Sequence, residues 1–269
     1  MAFISCKEVT EAINNGYGQT SVFMKTSLPT NAQQWFTLWR QAGNPPDAGA
    51  VPSTGTVCDS STLGAMQIQD AGSGKKLHAY SIGAAALNWG GVVILYDRLW
   101  HAGTLPFQTS STLITGVTAP NRYTSGIGNC LFLETASGQG SGTYPITVSI
   151  SYTNEIGTPG RIATFEITSA FAANRVIFGL LQSPDRGVQS IQSYSCSSVP
   201  NSGTFNIVMY NQSMFNYIGY PAAYYLERDL IYQVAHLPIV QNGACLSGLF
   251  WSAEASPSFV WGTIKMVQG

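Results

Sequence analysis

The chain has 269 residues, of which 45% are hydrophobic and 9% charged, with a net charge of −1. An ordinary globular protein carries roughly 25% charged residues, so this surface has to be built from Ser, Thr, Asn, Gln, Gly and Tyr. The apolar content excludes a disordered chain. With no basic cluster beyond the adjacent Lys75 and Lys76, nucleic acid is excluded as a partner.

Residues 7–14 (KEVTEAIN) favour a helix that Gly16 stops. Residues 30–42 (TNAQQWFTLWRQA) predict a second helix. Thr30 or Asn31 caps it, and Trp35, Leu38 and Trp39 fall on one face at helical spacing. Gly43 with Pro45 and Pro46 ends it. Residues 44–61 are rich in Pro, Gly, Ser and Thr and read as an extended linker. The expected organisation is therefore a helical arm and linker over residues 1–62, followed by a β domain over 63–269.

From about Leu63 onward, short β-rich runs alternate with turn residues. Strands are expected at 76–82, 91–97, 108–116, 129–135, 144–153, 160–168, 174–181, 188–195, 203–210, 230–237, 246–252 and 258–267. The clearest pair is YPITVSISYT and RIATFEIT, where Ile146, Val148 and Ile150 share one face and Thr147, Ser149 and Ser151 the other. Strand and helix do not alternate, so the fold class is mainly β, an antiparallel sandwich or jelly roll. The apolar run from Ala79 to Tyr96 is interrupted by Asn88 and glycines and followed by Asp97 and Arg98. It reads as two strands joined by a turn, and no membrane association is expected.

Chemistry-bearing residues are sparse. Cys6, Cys58, Cys130, Cys196 and Cys245 have no metal-ligand spacing and read as free thiols, mostly buried; neither metal nor cofactor is expected. The opening segment lacks the basic start and apolar stretch of a secretory signal, so the sequon at Asn211 is expected to carry no glycan. His78, His101 and His236 lie in or at the ends of expected strands, without a nucleophile elbow or a zinc-binding HExxH. The carboxylates Asp97, Glu134, Glu155, Glu166, Asp185, Glu227 and Asp229 mostly neighbour arginines and read as structural Arg–carboxylate partners rather than a glycosidase pair. The aromatic stretch MYNQSMFNYIGYPAAYYLERD, with Tyr217, Tyr220, Tyr224 and Tyr225, suits subunit contact or stacking on sugar rings.

Three segments carry a resemblance: LYDRLWHAGTLPF at 95–107, the long run from Thr118 to Ile167 containing ISYTNEIGTPGR, and GVQSIQSYSCSSVPNSGTFNIVMY at 187–210. With WFTLWRQAGNP at 35–45, they make the chain similar to tailed-phage virion proteins of the head decoration, or cement, type. That resemblance implies a structural, non-enzymatic protein, a homotrimer of jelly rolls on the capsid surface, assembled in the host cytoplasm. Its implied partners are the major capsid protein and copies of itself. The candidate partner-binding residues are Trp35, Leu38 and Trp39 in the arm and Tyr217, Tyr220, Tyr224 and Tyr225 in the aromatic stretch. A receptor- or glycan-binding tail module and a β-sandwich polysaccharide hydrolase are the alternatives.

Overall fold

Residues 6–28, 33–87, 90–170, 172–218, 225–231, 237–253 and 258–269 are described in the computed structural model. A short helix, α1 (Cys6–Ala12), runs into a π-helical turn (Ile13–Tyr17). The first strands are β1 (Gly18–Leu28), β2 (Gln34–Thr37), β3 (Gly43–Asn44), β4 (Thr56–Val57), β5 (Leu77–Ala86) and β6 (Gly91–Pro106). Next come β7 (Thr112–Leu113), β8 (Asn129–Ser137), β9 (Ile146–Asn154), β10 (Arg161–Ile167), β11 (Arg175–Phe178) and β12 (Val188–Cys196). The last are β13 (Thr204–Ile218), β14 (Leu226–Asp229), β15 (Ile239–Val240), β16 (Leu246–Ser252) and β17 (Ser258–Gln268). The chain is mainly β, with antiparallel ladders and one short N-terminal helix, as expected.

Six of these strands close on themselves. β6 pairs with β13, β13 with β8, β8 with β11, β11 with β2, β2 with β16, and β16 again with β6. A closed ring leaves no unpaired edge over its paired length. Its interior holds Tyr96, Phe132, Val176, Val208, Tyr210 and Leu249, with Trp35 and Ile94 packed against them. Edge-to-face rings fill the space: Tyr96 meets Phe132 at 5.5 Å and Tyr210 at 5.6 Å. The barrel is a packed core and not a pore.

Two further sheets lie on its outside. A four-stranded sheet, ordered β10-β9-β12-β7, packs Ile146, Val148, Ile150, Tyr152, Phe165 and Tyr194 against Leu131, Leu133, Phe205, Ile207 and Met209 of the barrel. A six-stranded sheet, ordered β14-β5-β17-β1-β3 with β15 also on β5, packs Phe23, Ile82, Ile264 and Met266 against Val93, Leu95, Met214 and Phe250. The long strands β6 and β13 therefore serve both layers, one half of each strand facing each sheet. That explains why residues 91–106 are nearly all buried: one side faces the barrel interior and the other a covering sheet.

The helix expected over 30–42 is not formed where the chain is described; residues 29–32, with Thr30 and Asn31, lie outside the described residues. Gln34–Thr37 is a barrel strand, with Trp35 opposite both Val176 and Trp251. The backbone amides of Thr37 and Leu38 donate to the carbonyls of Asn174 and Gly248, each at 2.9 Å, rather than to a preceding turn. Tertiary pairing overrides a helical spacing that arose without a helix. β1, which also falls within residues 1–62, pairs along its length with β17. Of the expected strands, 108–116 shrinks to Thr112–Leu113. For 230–237, Leu230 and Ile231 are not strand, 232–236 lie outside the described residues, and the neighbouring strand is Leu226–Asp229.

Candidate functional site

Two constellations stand out: a buried polar cluster at one end of the barrel and an aromatic opening at the other. The first depends on a β-bulge. In the β6–β13 ladder, Tyr210 faces Arg98 and Met209 faces Trp100, so Leu99 is the extra residue. Residues three apart in a regular strand point to opposite faces; the bulge turns both Arg98 and His101 inward. Arg98 donates to Glu134 at 3.0 Å with both side chains fully buried, and its Nε donates to His101 Nδ1 at 3.1 Å. Asn206 adds a second hydrogen bond to the same Glu134 oxygen, and the Trp39 ring lies 4.6 Å from the guanidinium. Burial alone would raise the Glu134 carboxyl. The Arg98 charge and the hydrogen bonds it receives hold it below its ordinary value instead.

Beside this pair sit Cys58 and Cys245, both fully buried, with Trp39 and Ala65. His101, whose Nδ1 accepts from Arg98, also borders Cys58. Burial pushes the Cys58 thiol up, but hydrogen bonds from Cys245 and His101 outweigh it, leaving Cys58 well below the ordinary thiol value. Cys245 is driven well above it by burial and by its bond to Cys58.

At the other end, β13 runs on past Asn211, where its pairing with β8 stops. Ladder partners share a face, so Tyr217, Val92, Trp251 and Trp35 form one row at this end, and Phe215, Ile94 and Leu249 form the next. Phe178 sits across from Phe132 at the rim and contacts Trp35 edge-on at 5.6 Å. Phe215 and Tyr217 meet at 5.7 Å, and Arg228 caps the Phe215 ring at 4.5 Å. Tyr217 is 61% exposed.

The fold thus separates the sequence-selected residues. Trp35 and Tyr217 reach the same opening. Leu38 and Trp39 are buried, Leu38 against the six-stranded sheet and Trp39 over Arg98, so the three do not form an outward helical stripe. Tyr220 and Tyr224 lie outside the described residues, as do Tyr232, Trp89 and His236. Tyr225 is exposed on the outer face of the six-stranded sheet, its hydroxyl 2.5 Å from Thr263 Oγ1. It lies across Gly83, where any β-carbon would collide with its ring.

The carboxylates do meet cations, but not their sequence neighbours. Asp97 binds Arg122 through both oxygens, Asp185 binds Arg161, Glu155 pairs with Arg186, and Glu227 pairs with Lys265. Adjacent strand residues point to opposite faces, so Asp97 cannot share a side with Arg98. The first two pairs take charge off the surface, whereas Arg186 and the Glu227–Lys265 pair stay in contact with solvent. On the four-stranded sheet the outward face is Thr147, Ser149, Ser151 and Thr153 beside Ser193 and Ser195. On the six-stranded sheet it carries Val22, Met24 and the stacked rings of Phe259 and Trp261. Among the described residues no group of His, Cys, Asp and Glu could hold a metal ion, and no helix is long and apolar enough to cross a membrane.

No protein-family model matches the chain, and no curated protein matches it. Among solved structures it is similar to that of the infectious bursal disease virus Gx strain, at 10% identity and a TM-score of 0.17, over 93% of this chain and 80% of that one. The cyanophage Pam1 capsid asymmetric unit is similar at 14% identity and a TM-score of 0.23, over 57% of this chain and 92% of that one. The CBM2 module of the evolved Dit of Lactobacillus casei BL23 phage J-1 is similar at 12% identity and a TM-score of 0.18, over 72% of this chain and 96% of that one. Components of virus particles recur among these likenesses, all of which are too distant to assign a family.

Proposed function

We propose that this chain is a virion structural protein, and specifically a decoration protein that binds and stabilises a phage head lattice as a homotrimer. The observation that carries the reading is the distribution of charge. The few carboxylates and guanidiniums largely neutralise one another inside the fold or at its seams, while the broad outer sheet faces are hydroxyl-rich or apolar. A surface so poor in charge repels its neighbours little and loses little on being covered. The sequence resemblance to head decoration proteins supports the same role. Many weak contacts repeated by symmetry then hold a shell by avidity without one strong site. No catalytic role is assigned in this reading.

Quantitative mass spectrometry of purified particles tests it. A copy number comparable to that of the main shell protein, with a trimer by native mass spectrometry of the isolated chain, is the expected result. A few copies per particle would overturn it. One observation favours a second reading, a glycan-binding tail module: the aromatic opening with Tyr217 at its rim suits stacking on sugar rings. Glycan-array binding lost in Tyr217→Ala would select that reading over the first.

A further inference from the structure

Cys58 and Cys245 reach one another from opposite ends of the described fold along a single edge of β6. The Cys58 amide donates to the Leu99 carbonyl at 3.1 Å, and the Cys245 carbonyl accepts from the Arg98 amide at 2.9 Å. β4 and β16 thus abut end to end on that edge, at the bulge. The Cys245 amide is fixed in turn by Asp97 Oδ1 at 2.9 Å, whose carboxylate is gripped by Arg122. The two side chains lie in one buried cluster with Trp39 and Ala65, and His101 borders Cys58. The remaining described contacts of Cys130 and Cys196 run to backbone, Cys130 Sγ to the Gly128 carbonyl at 3.7 Å and the Cys196 amide to the Gln108 carbonyl at 2.7 Å.

We propose that Cys58 and Cys245 form a latent cross-link, a dithiol that closes to a disulfide when it meets a small-molecule disulfide. The Cys58 thiolate attacks one sulfur of the small disulfide, breaking its S–S bond and releasing one thiolate, which takes up a proton. Cys245 then gives up its proton and attacks the Cys58 sulfur, expelling the second small thiol. Two protein thiols are oxidised by two electrons and one small disulfide is reduced to two thiols. His101, with the neighbouring Arg98 charge, holds Cys58 as the attacking partner. Both sulfurs are buried, so access requires local opening. The segment that has to open is residues 58–76, which contain turns and no strand. Once closed, the bond ties that segment to the barrel and spans 187 residues (245 − 58) of chain.

The purified chain is held in oxidised glutathione and, separately, in reduced glutathione, then alkylated and mapped by mass spectrometry. The expected result is a two-hydrogen mass loss and one cross-linked peptide pair containing Cys58 and Cys245. An unfolding midpoint raised by roughly 10 °C and reversed by a dithiol should accompany it. In Cys245→Ser the reaction should stop at a single glutathione adduct on Cys58. The proposal is overturned if the native chain stays reduced while the urea-unfolded chain oxidises. It is equally overturned if Cys6, Cys130 or Cys196 captures glutathione before Cys58 does.

Discussion

Glu134→Gln removes one charge from a guanidinium–carboxylate pair that is entirely out of solvent while leaving the side-chain shape intact. Arg98 then keeps its hydrogen bond to His101 and its contact with Trp39 but loses its carboxylate partner; Asp97, the next residue, is occupied by Arg122. Removing one partner of a buried pair costs about 3–5 kcal/mol, and for a chain of this size each kcal/mol moves the midpoint by roughly 2–4 °C. The midpoint should therefore fall by about 6–20 °C, read by thermal melts in circular dichroism and by urea titration of tryptophan fluorescence. The double variant Arg98→Met with Glu134→Leu removes both members of the pair and should recover most of the loss. The pH dependence has a fixed sign. Glu134 is held below its ordinary value, so its contribution is present above pH about 4.5 and is lost as pH falls through the folded value. Glu134→Gln should abolish that part of the acid limb. A loss under about 1 kcal/mol, with the acid limb unchanged, would mean that water reaches the pair, and would refute the closed, dry barrel.

Lys25 is buried with its ammonium on the carbonyls of Gln41, at 2.9 Å, and Pro45, at 2.6 Å, and burial pushes it down to about 8 against the opposing pull of Asp47. The unfolded chain therefore holds more protons between pH about 8 and 10.5, so stability should rise with pH across that window; denaturant titrations of Lys25→Met should lack the rise. Arg161, with Tyr152 and Asn154, holds the Asp185 carboxyl down to about 2. The β9–β10 hairpin should keep its amide exchange protection at pH 3, and Asp185→Asn should lose it first there. Gly83→Ala should displace Tyr225 and cost about 1–3 kcal/mol, measured by urea unfolding, with greater protease access at residues 225–230.

Strands such as Ile146–Asn154 and Arg161–Ile167 were legible because one face meets the core and the other meets water, which writes a period of two into the sequence. β6 runs past its expected end at residue 97 because Asp97 and Arg98, which break the apolar run, are ion-paired within a continuous strand. β1 was invisible for a related reason: Phe23 and the charged Lys25 point inward while Val22 and Met24 point outward, reversing the usual signal. Trp35, Leu38 and Trp39 mimic a helical stripe, yet the backbones of Trp35 and Leu38 pair with distant strands. The thiol cluster joins residues 58, 101 and 245, whose proximity no local pattern encodes. The scarcity of charge was plain in composition; that much of it is spent on internal pairs was not.

The pairing of β1 with β17 sets the order in which this molecule can be made. As the ribosome releases the chain, residues 18–28 emerge early but lack their main ladder partner until residues 258–268 have been synthesised. The barrel likewise stays open until residues 246–252 arrive to join β2 to β6. Such long-range closure makes folding slow and leaves apolar strand edges exposed in the meantime. Neither the barrel nor the six-stranded sheet can therefore be completed before residues 246–252 and 258–268, respectively, have been synthesised.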